Sequence, residues 1–505
     1  MNYAFATVRP MWDGNAGACW GTEVRMRVLI AASEVYPLIK TGGLADVAGA
    51  LPAALARKGV DARIVMPGYP SVLARLTDRR RETDLGAVLD GHHARLIESR
   101  MPDSGVPVWL VDCPSLYHRG GGPYINEWGH DHPDNFLRFA LLSKVAALIG
   151  TPKSPVGWRA QVIQCNDWQT GLVPAYLALT DGPGAATVFS IHNIQFQGIF
   201  GQEILPMIGL PDHAFAIDGL EFHGHVSTLK AGCYYADRIT TVSPTYAREI
   251  QTPDGGRGMD GLLRWRSAQL SGILNGVDYD QWDPAHDHLL PARYSADDLT
   301  GKAACKAALQ REFGLEERPE APVFGLVSRF SEQKGIDLVL GAVDHILSRG
   351  GQLVMLGSGD SWLEHAIYGL GGARAGRVGT WVGYDEGRAH RIQAGCDIFL
   401  VPSRFEPCGL TQMYALRYGS LPLVRHTGGL ADTVTDLHDP SGQGTGFVFG
   451  EASVGGLIGA VDRAFDAWGL PAWGEAQRRG MAQDFGWHNA ADAYMALFRS
   501  LTTRE

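Results

Sequence analysis

Short apolar, β-branched runs alternate with helical stretches along nearly the whole chain, and this alternation narrows the possible folds more than any other feature. In the first half the runs are RVLIAAS, DARIVMPG, PVWLVDC, QVIQCND, ATVFSIHN and RITTVSP; in the second they are PVFGLVSRF, GQLVMLGSG, GTWVGY, DIFLVPS and LPLVR. Each is followed by Gly, Pro or Asn turn signals, and stretches such as LADVAGALPAALARKG lie between them. That order predicts an α/β chain of βαβ units with parallel sheets. The near-continuous apolar character of the runs predicts sheets covered on both faces. The pattern pauses from about Thr252 to Gly272 and restarts after GILNGVDYDQWDP. The expected organisation is therefore two doubly wound, Rossmann-like domains, 26–271 and 272–485. An extension at 1–25 precedes them, and a C-terminal helix at 486–505 packs back on the first domain. In that helix Trp487, Ala491, Tyr494 and Leu497 recur at helical spacing and form an apolar face.

A chain of 505 residues, 45% hydrophobic and 19% charged, has enough apolar material for two sizeable cores. Its net charge of −10 argues against a nucleic-acid or membrane surface as the main partner, so any phosphate must be met by local positive charge. The seven cysteines are scattered without a C-x-x-C pair, which suggests neither a zinc site nor a disulfide framework and fits reduced thiols in the cytoplasm. No segment approaches the apolar length of a membrane helix. The first 25 residues lack a secretory h-region and read either as a disordered extension or as sequence ahead of a start at Met26.

In open α/β sheets ligands sit beyond the carboxyl ends of the strands, so residues just past each apolar run carry most weight. KTGG, Lys40 to Gly43, follows the first run, before a helix expected to begin at Leu44. Gly42 and Gly43 let a backbone approach a ligand closely, the helix start offers N–H groups, and Lys40 adds a full charge. A plain tight turn with a solvated lysine is the alternative. In LVSRFSEQKG, Arg329 stands at a strand end and Lys334 five residues on; two cations around such a turn suit a pyrophosphate. After DIFLVPS, Gly409, Leu410 and Thr411 begin a further helix, and Glu406 sits one turn earlier, where a carboxylate can face a sugar ring. Asp167 and His192 each follow an apolar strand and reach the same end of the sheet. No paired-carboxylate spacing, Ser-His-Asp order or metal cluster stands out. A near repeat of the first motif, HTGGLADTV, occurs at His426 to Val434 with histidine in place of the lysine.

Taken together, KTGGLADV, HDHPDN, NDWQTGL, HNIQFQG, KAGCYYAD, TVSPTYAREI, NGVD, VSRFSEQKG, VPSRFEPCGLTQ and TGGLADTV resemble the bacterial glycogen synthases and plant starch synthases. These are retaining glucosyltransferases of the GT-B fold, in which two Rossmann-like domains face a central cleft. The resemblance runs from Met26 almost to the C-terminus. It implies transfer of glucose from ADP-glucose to the non-reducing 4-hydroxyl of an α-1,4-glucan, with no metal and no cofactor beyond that substrate. It also implies that Arg329 and Lys334 bind the distal phosphate and that Lys40 contacts the donor. Gly409, Leu410 and Thr411 would offer backbone N–H groups, and Glu406 and His192 would contact the transferred glucose. Asp167 and Asn275 fall nearby, Tyr384 in VGYDEG matches an aromatic that stacks on adenine, and Tyr124 and Asp46 fall on the acceptor side. In related GT-B families a second glutamate would stand where this chain has Tyr414, as glycogen synthases do.

The chemistry so implied places negative charge on the leaving diphosphate and positive charge on the anomeric carbon. In a front-face reaction the phosphate itself takes the acceptor's proton; the alternative, a covalent glycosyl-enzyme, needs a nucleophile under the ring. The rival readings are a UDP-glucose-dependent enzyme or a sugar phosphorylase on the same fold, and a non-catalytic glucan-binding protein.

Overall fold

The computed structural model describes residues 25–76 and 78–502. The expected N-terminal extension therefore lies, apart from Arg25, outside the described residues. In the first half come β1 (Arg27–Ala31), β2 (Asp61–Pro67), β3 (Arg81–Leu89), β4 (His92–Arg100), β5 (Pro107–Asp112), β6 (Val162–Asn166) and β7 (Ala186–Ile191). Three short strands follow, β8 (Ile199–Phe200), β9 (Glu221–Phe222) and β10 (His225–Ser227), then β11 (Arg238–Thr241) and β12 (Leu270–Gly272). Nine of these form one sheet in the order β12-β11-β7-β6-β1-β2-β5-β4-β3, while β8, β10 and β9 form a small antiparallel sheet.

Most of the large sheet is parallel, but β3 and β4 add an antiparallel hairpin at its edge. The apolar-run pattern does not show this hairpin, because an edge pair half in water carries Arg, Glu, Asp and His instead of a continuous apolar stretch. Its turn is nonetheless written in the sequence: Asp90 and Gly91 have φ of 47° and 72°, the left-handed pair that an Asp-Gly hairpin favours.

The second half contains β13 (Val323–Val327), β14 (Gln352–Gly357), β15 (Val378–Val382), β16 (Ile398–Val401), β17 (Leu421–Arg425) and β18 (Phe447–Phe449). They form one wholly parallel sheet, β15-β14-β13-β16-β17-β18. Strand order reverses between β13 and β16 here, and between β1 and β6 in the first sheet. A doubly wound sheet opens a crevice at such a reversal, beyond the carboxyl ends of its strands. The topology thus marks one crevice in each lobe before any side chain is considered.

The C-terminal helix Trp487–Thr502 crosses back and packs on the helix Gly43–Arg57 of the first lobe. Trp487, Ala491, Tyr494 and Phe498 enter the first lobe's core, with Leu497 at its margin. The lobes also meet through two short helices, Pro244–Glu249 and Gly428–Thr433. Thr245 donates its N–H and its hydroxyl to the two Asp432 oxygens, each at 2.7 Å. In return Gly428 N and Thr427 Oγ1 donate to Glu249 Oε1 at 2.9 and 3.0 Å. Each helix start is capped by a carboxylate from the other lobe.

Candidate active site

On the first lobe, the chain leaving β1 runs through Ser33 and Glu34 to the Lys40–Gly43 turn. The sequence predicts that the start of the following helix offers N–H groups to a ligand; two N–H groups just ahead of that helix already have a partner within the protein. Thr41 N and, at 3.3 Å, Gly42 N donate to Glu34 Oε2. The following helix begins at Gly43, one residue earlier than expected. Lys40 is left to project from the turn, where its Nζ pairs with Asp46 at 2.8 Å and lies 5.4 Å from the Tyr36 ring. Burial raises the Asp46 carboxyl above its usual range, and Lys40 offsets part of that rise. The Tyr124 hydroxyl donates to Glu34 Oε1 at 3.0 Å and also meets Ser33 Oγ at 2.8 Å.

Across the strand-order reversal, β6 ends at Asn166, just before Asp167, and the neighbouring β7 ends just before His192. Asp167 is buried and has φ of 56°, and its Oδ1 accepts from His192 N at 2.7 Å and Asn193 N at 3.4 Å. Burial pushes its carboxyl up to about 7, against the pull of those two N–H groups. Desolvation pushes the His192 imidazole down to about 4, so the ring is neutral near pH 7. Asn166 Nδ2 donates to Ala31 O at 2.9 Å, which turns Asn166 Oδ1 toward His192 Nε2, also 2.9 Å away. An acceptor there requires the Nε2–H tautomer, and Nδ1 is then left as a neutral acceptor.

On the second lobe, Lys334 Nζ donates to Glu406 Oε2 at 2.6 Å, and Ser403 Oγ donates to the same oxygen at 2.9 Å. Both bonds end on Oε2, which leaves Oε1 for a further donor. Lysine carries three donors, so this pairing does not exhaust Lys334. Arg329 follows β13, is exposed, and has no ion-pair partner among the described residues. β13 and β16 are adjacent in the sheet, so the segments carrying Arg329 and Glu406 leave from neighbouring strand ends.

The loop behind Glu406 is held from the back. Gly429 N donates to Glu406 O at 3.2 Å, and Ser243 Oγ of the first lobe reaches Pro407 O at 2.6 Å. Gly428 has φ of 43°, and a Cβ there would lie 1.9 Å from Glu406 O. The second glycine turn therefore braces the glutamate loop, which is a different task from that of the first. Gly409 and Leu410 lead into the helix Thr411–Arg417, with Gln412 Nε2 bonded to Gly409 O at 2.8 Å. Asn275 is buried, its backbone bonds the Cys408 thiol, and its Oδ1 has no partner among the described residues.

Tyr384 follows β15, is 79% exposed, and donates to Glu386 Oε2 at 3.1 Å. The Glu386 charge is felt by Asp46 and Tyr36 of the first lobe, so these loops face one another across the gap. Tyr414 likewise lies within range of Asp46, and its ring stacks on Trp282 at 4.0 Å.

The structure thus brings together Lys334 with Glu406, Lys40 with Asp46, Asp167 with His192, and Tyr124 with the glycine loop. It shows no direct contact of Arg329, Tyr384 or Gly409–Thr411 with those groups. Glu34, Asn166 and Ser403 were not anticipated. Glu34 and Ser403 stand just past apolar runs, the signal that selected Asp167 and His192; what singles them out is which distant donors arrive beside them. Among the described residues no group of three or more His, Cys, Asp and Glu side chains could hold a metal ion. Nor is any helix among them long and apolar enough to cross a membrane.

Comparison with known proteins follows the same division into lobes. Residues 27–265 match the starch synthase catalytic domain family and residues 310–478 match glycosyl transferases group 1. The glycogen synthase of Rhodospirillum rubrum is 52% identical over 478 residues, covering 94% of this chain and 98% of that protein. That of Paramagnetospirillum magneticum is 51% identical over 483 residues, with 94% and 98% covered. Among solved structures, the catalytic domain of starch synthase IV from Arabidopsis thaliana, bound to ADP and acarbose, superposes with a TM-score of 0.85. It is 33% identical and covers 95% of this chain and 100% of that one. Sucrose-phosphate synthase from Thermosynechococcus elongatus, 18% identical with a TM-score of 0.58 over 95% of this chain and 100% of its own, shares the fold.

Proposed function

The chain belongs to the starch and glycogen synthase family of GT-B glycosyltransferases, and we propose that it transfers glucose from ADP-glucose to the non-reducing 4-hydroxyl of an α-1,4-glucan with retained configuration. The observation that carries this reading is the buried Glu406 held by Lys334 at the strand-order reversal of the second lobe, with Asp167 and His192 beside the strand-order reversal of the first. Cations from opposite lobes suit a diphosphate, and a neutral imidazole beside a carboxylate suits a hexose. The ADP and acarbose bound to the Arabidopsis starch synthase match those two chemistries.

In this reaction the bond from the anomeric carbon to the phosphate oxygen breaks, and a bond to the acceptor's O4 forms on the same face. The O4 proton passes to the departing phosphate, leaving ADP and a glucan longer by one residue. Arg329 and Lys334 stabilise charge growing on the diphosphate, and a hydrogen bond to a charged group contributes about 1.5–3 kcal/mol. Lys334 holds Glu406 with one N–H and has others for a phosphate oxygen. Glu406 accepts from a sugar hydroxyl through Oε1 and favours the developing cation. His192 Nδ1 accepts from a second sugar hydroxyl. Closure of the lobes keeps water from the activated sugar. The six cysteines among the described residues are buried free thiols, which suits work in a reducing cytoplasm.

The test is incorporation of label from ADP-glucose or UDP-glucose into glycogen by the purified protein, followed by digestion with an α-1,4-specific amylase. Incorporation from ADP-glucose into amylase-sensitive chains is expected. Preference for UDP-glucose would replace the donor, and no incorporation from either would remove the reading.

A further inference from the structure

We propose that Glu34 is a positioning residue that ties the loop bearing Lys40 to the loop bearing Tyr124, so that the donor and acceptor sides of the cleft keep one geometry; this rests on the function proposed above. Glu34 is 3% exposed and stands three residues beyond the end of β1, at the strand-order reversal of the first lobe. One carboxylate oxygen accepts from Thr41 N and Gly42 N, and the other from the Tyr124 hydroxyl. No cation pairs with it among the described residues, and Lys40 of the same turn is engaged with Asp46. Burying a carboxylate is costly unless donors compensate, and here the donors come from two separate loops. Burial does raise the Glu34 carboxyl above its usual range, while all of these hydrogen bonds lower it.

Each loop is stiff enough to transmit a fixed anchor. Tyr124 O accepts from His132 N at 3.0 Å and Asn135 Nδ2 at 2.9 Å, and Arg119 clamps Asp134 at 2.7 and 2.9 Å. Asn126 Oδ1 accepts from Trp128 N and His130 N, both at 3.0 Å. Residues 119–134 therefore form one braced arm whose root is Tyr124. On the other side, Glu34 takes up two N–H groups of the glycine turn, which orients that turn and leaves Lys40 projecting from it. A single side chain thus sets two parts of the cleft whose sequence positions are about 80 residues apart.

The test combines amide hydrogen exchange with kinetics on the full chain. Glu34→Ala is expected to speed exchange both at Thr41 and Gly42 and across 122–132. It should raise the KM for ADP-glucose and for glycogen each roughly tenfold, with a smaller fall in kcat. Glu34→Gln should recover most of this, since its carbonyl can face the turn and its NH2 can donate to the Tyr124 oxygen. Combining Glu34→Ala with Tyr124→Phe should raise the glycogen KM no further than Glu34→Ala alone. Faster exchange in only one loop, or effects of the two substitutions that multiply, would overturn the proposal. Should Glu34→Ala fail to fold, Tyr124→Phe reads the same tie from the other end, and unchanged exchange at Thr41 and Gly42 in it overturns the proposal equally. Failure of the parent reading would show separately, as a wild-type protein without turnover whose exchange pattern is still measurable.

Discussion

At the scale of single residues, Asp167 and His192 are buried side by side, and burial moves them in opposite directions. The His192 pKa falls from 6.5 to about 4, so the unfolded chain binds the extra proton between those values and acid costs stability there. The Asp167 pKa rises from 3.8 to about 7, so the folded chain binds the extra proton and stability is lost as pH rises through that window. The two slopes oppose each other over most of their range, spanning about 3 kcal/mol for His192 and about 4 kcal/mol for Asp167 by the conversion of pKa shift to free energy. Wild-type stability should accordingly vary little with pH on account of this pair. Asp167→Asn should unmask the histidine, with stability falling as pH drops from 6.5 to 4. His192→Gln should unmask the aspartate, with stability falling as pH rises from 3.8 to about 7. Urea unfolding midpoints measured across this range check both signs, and parallel profiles in the two variants would show that the groups are not buried as described.

At the scale of elements, the two glycine turns look alike in sequence and differ in what surrounds them. A Cβ on Gly42 or Gly43 meets nothing within 4 Å, whereas one on Gly428 would collide with Glu406 O at 1.9 Å. Gly42→Ala should therefore leave thermal stability unchanged and raise the donor KM, because the open space is where a ligand lies in the proposed complex. Gly428→Ala should cost about 2 kcal/mol or more of stability from the positive φ and the clash together. It should also lower turnover by about 10²-fold, since moving Glu406 by an ångström disturbs the reacting geometry. Thermal melts and steady-state kinetics separate the two outcomes; a stable, active Gly428→Ala would refute the bracing role. The same contrast explains what a reader of the sequence can find. Parallel strands covered on both faces show up as apolar runs, so β1, β2, β5 and β6 are legible, as are the residues just past them. β3 and β4 are not, because half-exposed edge strands lose that signature, and β12 and β18, three residues each, are too short to carry it. The pairing of Lys334 with Glu406 spans 72 residues, and the sharing of Glu34 between two loops depends on how β1 and the Tyr124 arm meet; neither leaves a local pattern.

At the scale of the whole molecule, the cleft is closed on one side by the reciprocal caps between Pro244–Glu249 and Gly428–Thr433, and by the C-terminal helix crossing back to the first lobe. Its other side is bordered by loops that carry charge. Asp46 and Tyr36 of the first lobe face Glu386 of the second, an arrangement with excess negative charge that Lys40 partly neutralises. In the proposed complex, an anionic donor held by Arg329 and Lys334 would give Lys40 a second partner across the gap, so that binding and lobe approach would reinforce each other. On that proposal Lys40 contributes mainly to gathering the ligand and the lobes, while the second-lobe groups act on the bond that breaks. Lys40→Ala is expected to raise the ADP-glucose KM by about tenfold while kcat falls by less, the pattern of lost binding rather than lost transition-state contact. Because the interaction is between charges near solvent, the wild-type donor KM should rise with ionic strength, and Lys40→Ala should flatten that dependence. Initial rates over a donor and salt series measure both quantities. A fall in kcat at unchanged KM would instead assign Lys40 to the chemical step, and an undiminished salt slope would mean that the lobes meet without its charge.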